Sequence, residues 1–198
     1  RRGRALRRLV AGPRSDRPYS GKVTPFVWRW VWDFGNGTMP DMSPHHFDPA
    51  FNALDLDAPT TIEARTSFVD PEVTIGSNLI TYRYAARGDR GPLTVCWYDN
   101  GLRPALPLDI DPDDPRQRLG DGNDGLLLVG DKGLITCAGW SGMPRLLPME
   151  LHRSYTRPPK TIPETGTPSG SLTRGSSTGL FAIGAVKRLL GCAAGRPQ

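Results

Sequence analysis

Hydrophobic and polar residues alternate along three stretches of the chain after residue 60, and two further apolar stretches flank a GDKG motif. The alternation has a period of two, and the stretches are rich in β-branched and aromatic residues, so they indicate half-buried strands. RGDRG at 87–91 and GDKG at 130–133 predict tight hairpin turns. The predicted strands occupy residues 61–68, 77–87, 92–99, 125–131 and 133–138.

An aromatic and glycine-rich pattern precedes the strands. Trp28, Trp30 and Trp32 alternate, and on an extended segment they share one face. There they could stack on a sugar ring or a nicotinamide, or pack in a core. Gly35 and Gly37 predict a turn from these aromatic residues into a helix. Antiparallel hairpins after a helix favour an α+β fold, an open and mostly antiparallel sheet with helices on one face.

The start of this helix has two interpretations. Thr38 and Asp41 have the spacing of a capping box, which would begin the helix at Thr38. Ser43 and Pro44 could instead be the N-cap and the first helical residue, which would leave Asp41 in a loop. In the first case Asp41 and His45 lie on the same face of one helix, where the carboxylate can orient the imidazole.

Composition and charge limit the classes of function. The net charge is +5, but residues 1–18 hold seven arginines and one aspartate, so the other residues carry about −1. We therefore expect no nucleic-acid partner. No apolar run is long enough to span a bilayer, so we expect no membrane partner. The three cysteines are isolated, which favours a reducing compartment and a cytoplasmic location.

Several motifs, taken together, resemble one family of enzymes. In order, they read WDFGNGTMPDMSPHHFDPAFNALDLDAPTTIEA, ITYRYAARGDRGPLTVCWYDNGLRP, GLLLVGDKGLITC, PRLLP and RPPKTIP. They resemble the C-terminal half of the oxidoreductase family named after glucose–fructose oxidoreductase, inositol dehydrogenase and MocA. The resemblance covers residues 25–163. Residues 1–24 are then expected to be a basic, poorly ordered segment, and residues 164–198 a flexible tail with a short helix.

The resemblance implies a fold, a reaction and a site. It implies a large antiparallel sheet whose exposed face supports a homo-oligomer, and hydride transfer between NAD or NADP and a sugar, polyol or related hydroxyl compound. His45 matches the family's histidine, which removes the hydroxyl proton, and Asp41 matches the aspartate that places it. From residue chemistry alone, the candidate substrate-binding residues are Trp30, Trp32, Asp33, Asn36 and Tyr98. His46 is expected to be structural.

The chain lacks two features that the reaction needs. No GxGxxG follows a strand and opens a helix, and the family's Glu-Lys-Pro motif is absent. We therefore expect these residues alone to bind no nicotinamide cofactor and to be inactive without a separate dinucleotide-binding domain. No cysteine or histidine spacing predicts a metal site. The alternative is a non-catalytic binding or oligomerisation module that keeps the fold.

Overall fold

The computed structural model describes residues 26–156, except 109, 140, 141 and 143. The predicted terminal segments, 1–24 and 164–198, lie outside the described residues. The described elements are a 3-10 helix (Val27–Trp30), α1 (Thr38–Leu54), β1 (Thr61–Thr66), β2 (Asn78–Tyr84), β3 (Leu93–Tyr98), a 3-10 turn (Pro115–Gln117), β4 (Leu126–Gly130), β5 (Gly133–Cys137), β6 (Arg145–Leu147) and α2 (Met149–Ser154). No described helix is both long and apolar enough to cross a bilayer.

The fold is α+β with open antiparallel sheets, as the strand pattern predicts. The strands form two three-stranded sheets, ordered β1-β2-β3 and β4-β5-β6. Both predicted hairpins are present, with Arg87 bridging Arg90 in one turn and Gly130 opposite Gly133 in the other. The sixth strand was not predicted. Three residues are too few to show alternation, and β6 forms because it pairs with β5.

The first sheet has two unlike faces. In antiparallel strands, residues directly opposite one another project to the same side. Ile80 lies opposite Trp97, and Tyr82 lies opposite Val95, so these four side chains share the face that α1 covers. The other face carries the intervening residues of the three strands: Thr61, Glu63, Arg65, Leu79, Thr81, Arg83, Thr94, Cys96 and Tyr98.

One hydrophobic core connects α1 to both sheets. Its buried members are Ala53, Leu54, Leu56, Tyr82, Tyr84, Trp97, Ile135 and Leu146. Phe47 of α1 packs edge-on against the rings of Tyr82 and Trp97, at centroid distances of 5.4 and 5.8 Å. Each large apolar side chain buried in this way contributes roughly 1.5–3 kcal/mol. The core therefore holds α1 in a fixed position over the first sheet.

Two glycines form the turn that leads into α1, as predicted. A side chain at Gly35 would collide with the backbone of Arg29. Gly37 has φ +87°, and a Cβ there would lie 2.6 Å from the hydroxyl oxygen of Thr74. Only glycine fits both the positive φ and this close approach. The two positions thus bring the 3-10 helix back against the start of α1.

Candidate functional site

The helix that carries the candidate catalytic residues begins at Thr38, with Gly37 as its N-cap. A later start at Ser43 and Pro44 is therefore wrong. The capping box is also wrong, because Gly37 has no side chain and Thr38 is already helical. Pro44 lies inside the helix, where it removes one N–H donor but does not end the helix. Met42 and Phe47, on either side of Pro44, pack against the core.

Asp41 and His45 lie one turn apart on the same side of α1, because residues four apart are neighbours on a helix. Asp41 is partly buried and His45 is exposed. This is the arrangement that the first interpretation of the sequence requires. Exposure of the imidazole is compatible with a role in accepting a proton from a bound molecule.

Asp41 has a partner that the sequence did not indicate. Nε of Arg29 lies 2.9 Å from Oδ2 of Asp41, although the N–H is not directed at the oxygen and no hydrogen bond forms. The guanidinium also lies over the rings of Phe26 and Trp28, 4.3 and 4.9 Å from their centroids. Arg29 donates a 2.7 Å hydrogen bond to the carbonyl of Phe26. The Asp41 carboxylate is therefore held beside a positive charge whose own position is fixed.

His46 is structural, as predicted. Its side chain is only 6% exposed, and its ring meets the ring of Trp97 edge-on at 5.8 Å. Its Nδ1 lies 2.9 Å from the carbonyl oxygen of Met42, one turn earlier. The two adjacent histidines thus occupy opposite environments. Only His45 is available to a molecule approaching from solvent.

The three alternating tryptophans do not form one stacking face. Trp28 and Trp30 lie in the 3-10 helix, where residues two apart point in different directions, so the predicted extended segment is wrong for both. Trp28 lies against the guanidinium of Arg29. Trp32 follows the 3-10 helix and is about half exposed. The single stacking platform inferred from their spacing is therefore not formed.

Trp30 belongs to a hydrogen-bond chain at the start of α1. Its Nε1 donates to the hydroxyl oxygen of Thr38 at 3.0 Å, and that hydroxyl donates to Oδ1 of Asn100 at 3.2 Å. Nδ2 of Asn100 donates to the carbonyl of Gly76 at 2.7 Å. Sequence reasoning missed this chain, since 62 residues separate Thr38 from Asn100. The indole of Trp30 is thereby used to join α1 to the end of the first sheet.

The remaining candidates around the turn differ in their surroundings. Nε1 of Trp32 donates to the carbonyl of Asp70 at 2.9 Å, and its backbone N–H donates to the carbonyl of Glu72. Asp33 is partly buried, and Asn36 is exposed. Asp33 and Asn36 both lie in the turn before α1. They stay candidates for contact with substrate hydroxyls.

Tyr98 lies away from the other candidates. It is opposite Leu79 on the face of the first sheet that α1 does not cover. Burial raises the pKa of its phenol, and the neighbouring Cys96 on the same face raises that pKa further. Because Asp41 and His45 are carried by the helix on the other face, the structure does not bring Tyr98 together with them.

Asp99, which follows Tyr98, is a buried structural carboxylate. Its Oδ1 accepts hydrogen bonds from the backbone N–H and the side-chain amide of Asn78, at 2.8 and 2.9 Å. Its Oδ2 accepts a hydrogen bond from Nε1 of Trp97 at 2.9 Å. These donors bond to both oxygens of a buried side chain, so Asp99 closes the end of the first sheet.

Within the described ranges, no cluster of three or more histidine, cysteine, aspartate or glutamate side chains could hold a metal ion. The described residues of the candidate site are the exposed imidazole of His45, the carboxylate of Asp41 one turn before it, and the guanidinium of Arg29 beside that carboxylate. No protein-family model matches this chain. No curated protein sequence matches it either.

Proposed function

We propose that residues 25–163 are the substrate-binding half of a nicotinamide-dependent oxidoreductase that acts on a sugar, a polyol or a related hydroxyl compound. The observation that carries the proposal is the placement of Asp41 and His45 on one uninterrupted helix. Two further points support it: the resemblance of the motifs to those of the family, and an antiparallel α+β fold with a helix across one sheet face. The family assignment is part of the proposal.

His45 is the proton acceptor in this proposal. Oxidation of an alcohol requires a group that takes the hydroxyl proton, and an imidazole does so near neutral pH. Asp41 positions the imidazole from the preceding turn, and Arg29 holds the carboxylate of Asp41. Asn36 and Asp33, in the turn before α1, are the polar groups nearest in sequence that could bind further substrate hydroxyls.

The proposal assigns the dinucleotide to a separate domain. Every strand pair in the described part of the chain is antiparallel, whereas a dinucleotide-binding unit requires parallel strands joined by a helix. In this proposal the nicotinamide is bound by another domain. That domain could belong to a partner polypeptide or to a longer form of the same protein.

The experiment that tests this proposal adds a dinucleotide-binding domain. The full chain is joined behind a dinucleotide-binding domain from the family, and reduction of NAD or NADP is followed with a panel of sugars and polyols. His45→Gln should lower turnover about 10²- to 10⁴-fold. Asp48→Asn, a change on the same helix, is the control and should leave turnover unchanged. An unchanged rate in His45→Gln would eliminate the proposed role of His45.

A second candidate is a non-catalytic binding or oligomerisation module. Two observations favour it: Trp30 is used in a structural hydrogen-bond chain, and Asp41 is paired with Arg29. In that case the joined protein binds NAD or NADP through the added domain, yet no substrate in the panel is oxidised. That result would reject the catalytic proposal in favour of the module.

A further inference from the structure

Strand β1 is the outer strand of the first sheet. The sheet order is β1-β2-β3, and all six residues of β1 are exposed. Among the described residues, none forms a strand against its outer side. An outer strand of this length presents unpaired N–H and C=O groups that can pair with another strand. No described strand therefore occupies the outer edge of β1, Thr61–Thr66, and a partner strand can pair with it.

The hydrogen bonds on the inner side identify the backbone groups that face outward. Ser67 N–H donates to the carbonyl of Ser77, and Asp99 N–H donates to the carbonyl of Asn78. Backbone groups alternate in direction along an antiparallel strand. The bond between Ser67 and Ser77 therefore directs the backbone groups of residues 61, 63 and 65 toward β2. The bond between Asp99 and Asn78 agrees with this, because it directs residue 78 toward β3 and so leaves the odd-numbered residues of β2 facing β1. The N–H and C=O groups of residues 62, 64 and 66 consequently face outward.

We propose that the outer edge of β1 pairs with the same edge of a second copy of this chain, antiparallel and about a two-fold axis at Ala64. In this register Ala64 lies opposite Ala64 of the second copy, and Ile62 lies opposite Thr66. These are the residues whose backbone groups face outward, so about six hydrogen bonds form between the copies. The first sheets of the two copies, β1-β2-β3 of each, become one continuous six-stranded sheet.

The charges of β1 select the same register. The two-fold axis at Ala64 places Glu63 of each copy directly opposite Arg65 of the other. Opposite residues of a non-hydrogen-bonded pair have close side chains, and opposite charges there are stabilising. Within one copy, Arg65 already forms an ion pair with Glu63 at 2.6 Å. Pairing of the copies brings four alternating charges together.

Neighbouring registers are disfavoured. Moving the axis by one residue keeps the outward groups in register, but it places Glu63 opposite Glu63, or Arg65 opposite Arg65. Like charges directly opposite each other destabilise strand pairing. The hydrogen-bond pattern and the charge pattern thus agree on one register only, and a self-complementary surface of this kind is what a two-fold dimer requires.

This edge differs from the sheet face that the family resemblance implies for oligomer contacts. Arg83 lies on that open face but on the central strand β2, away from the edge. A charge reversal at Arg83 therefore tests the face and leaves the edge intact. One pair of short strands makes a small interface, so we expect the dimer to dissociate on dilution.

The experiment uses the full 198-residue chain. Sedimentation equilibrium should give a concentration-dependent dimer for the natural sequence. Glu63→Arg and Arg65→Glu should each be monomeric, because each places four like charges at the interface. Mixing these two variants in equal amounts should restore a dimer, since every Arg then faces a Glu. The double variant with both changes should dimerise alone, and Arg83→Glu should dimerise like the natural sequence.

A covalent trap tests the position of the axis. Ala64→Cys, made together with Cys96→Ser, should form a disulfide-linked dimer on mild oxidation. Opposite Cα atoms of a hydrogen-bonded pair are about 5.5 Å apart, within reach of a disulfide. Cys96→Ser alone is the control. A natural chain that stays monomeric, or a dimer that neither single charge reversal weakens, would overturn the proposal.

Discussion

Arg29 and Asp41 form an ion pair, 2.9 Å between Nε and Oδ2, that connects the 3-10 helix to the first turn of α1. Both side chains are partly buried, with exposed fractions of 22% and 35%. The same guanidinium lies over two aromatic rings, so its orientation is fixed from the opposite side as well. This contact holds the Asp41 carboxylate in the helical turn before His45.

A double-mutant cycle should detect this contact. Arg29→Gln and Asp41→Asn are expected to couple by about 0.5–1 kcal/mol in the free energy of unfolding, measured with urea. Arg29→Gln should lower the free energy of unfolding by about 1 kcal/mol more than Asp41→Asn does, because the guanidinium also leaves the rings of Phe26 and Trp28. Arg83→Gln, at an exposed position, serves as the control. Strictly additive effects would show that the ion pair contributes nothing.

The adjacent histidines should respond differently to the same substitution. His46→Ala removes a buried ring from the side of Trp97 and is expected to lower the free energy of unfolding by about 2 kcal/mol. His45→Ala changes an exposed side chain and should change the free energy of unfolding by less than about 0.5 kcal/mol. Thermal and urea unfolding of both variants measure the difference. Equal losses would contradict the assigned environments.

Asp99 should be required for stability. Asp99→Ala leaves the Trp97 indole N–H and the two Asn78 donors without their acceptor, at an expected cost of about 3 kcal/mol. Asp89→Ala, in an exposed hairpin turn, is the matched control and should have little effect. Chemical unfolding of the two variants gives the comparison. A small loss in Asp99→Ala would mean that water replaces the carboxylate at little cost.

The two described cysteines should differ in reactivity. Burial raises the pKa of the Cys137 thiol to about 11, so it stays protonated at pH 8, and the thiolate is the reactive form. Cys96 is exposed. Iodoacetamide at pH 8 should therefore label Cys96 and spare Cys137 until the chain is unfolded, as peptide mass spectrometry would show. Labelling of both at equal rates in the native chain would contradict the burial of Cys137.

Stability should fall at alkaline pH. In the unfolded chain the Cys137 thiol ionises near its ordinary pKa of about 8.5, whereas in the folded chain its pKa is about 11. Between these values the unfolded chain holds fewer protons, so rising pH favours unfolding, by about 1–2 kcal/mol at pH 10. Burial also raises the pKa of Tyr82 and of Tyr84, which acts in the same direction. Cys137→Ala should reduce the pH dependence measured by urea unfolding.

The strand pattern was readable because alternation is a local property. Ile80, Tyr82 and Tyr84 alternate with polar positions, and they do lie on the face that α1 covers. The division into two sheets was not readable. It depends on whether β3 and β4 pair, and no periodicity within either strand specifies a partner. The short strand β6 was missed for the same reason, since its existence depends on β5.

The candidate site also combines features that the sequence predicted with features that it did not. The spacing of Asp41 and His45 predicted a shared helix face for a helix that begins before Asp41, because four residues nearly complete one helical turn. The sequence did not decide between that start and a later one at Ser43 and Pro44, and the structure did. The alternating tryptophans wrongly suggested an extended segment with one shared face. Three alternating residues alone do not distinguish an extended segment from a 3-10 helix. The pairing of Arg29 with Asp41 could not be read either. It requires the turn at Gly35 and Gly37 to bring two elements together.

The sequence alone determined the antiparallel α+β class and the two hairpins, because each depends on residues close together in the chain. It left two possible starts for the helix of Asp41 and His45, and the structure decided for the start at Thr38. The tertiary structure decided which histidine is buried, which face of the first sheet is covered and which charge holds Asp41. It also determined that, in the part of the chain that the structure describes, no strand pairs with the outer edge of β1. These features depend on contacts between distant segments, whose free energies are set by the burial and packing of the whole fold and not by any local pattern.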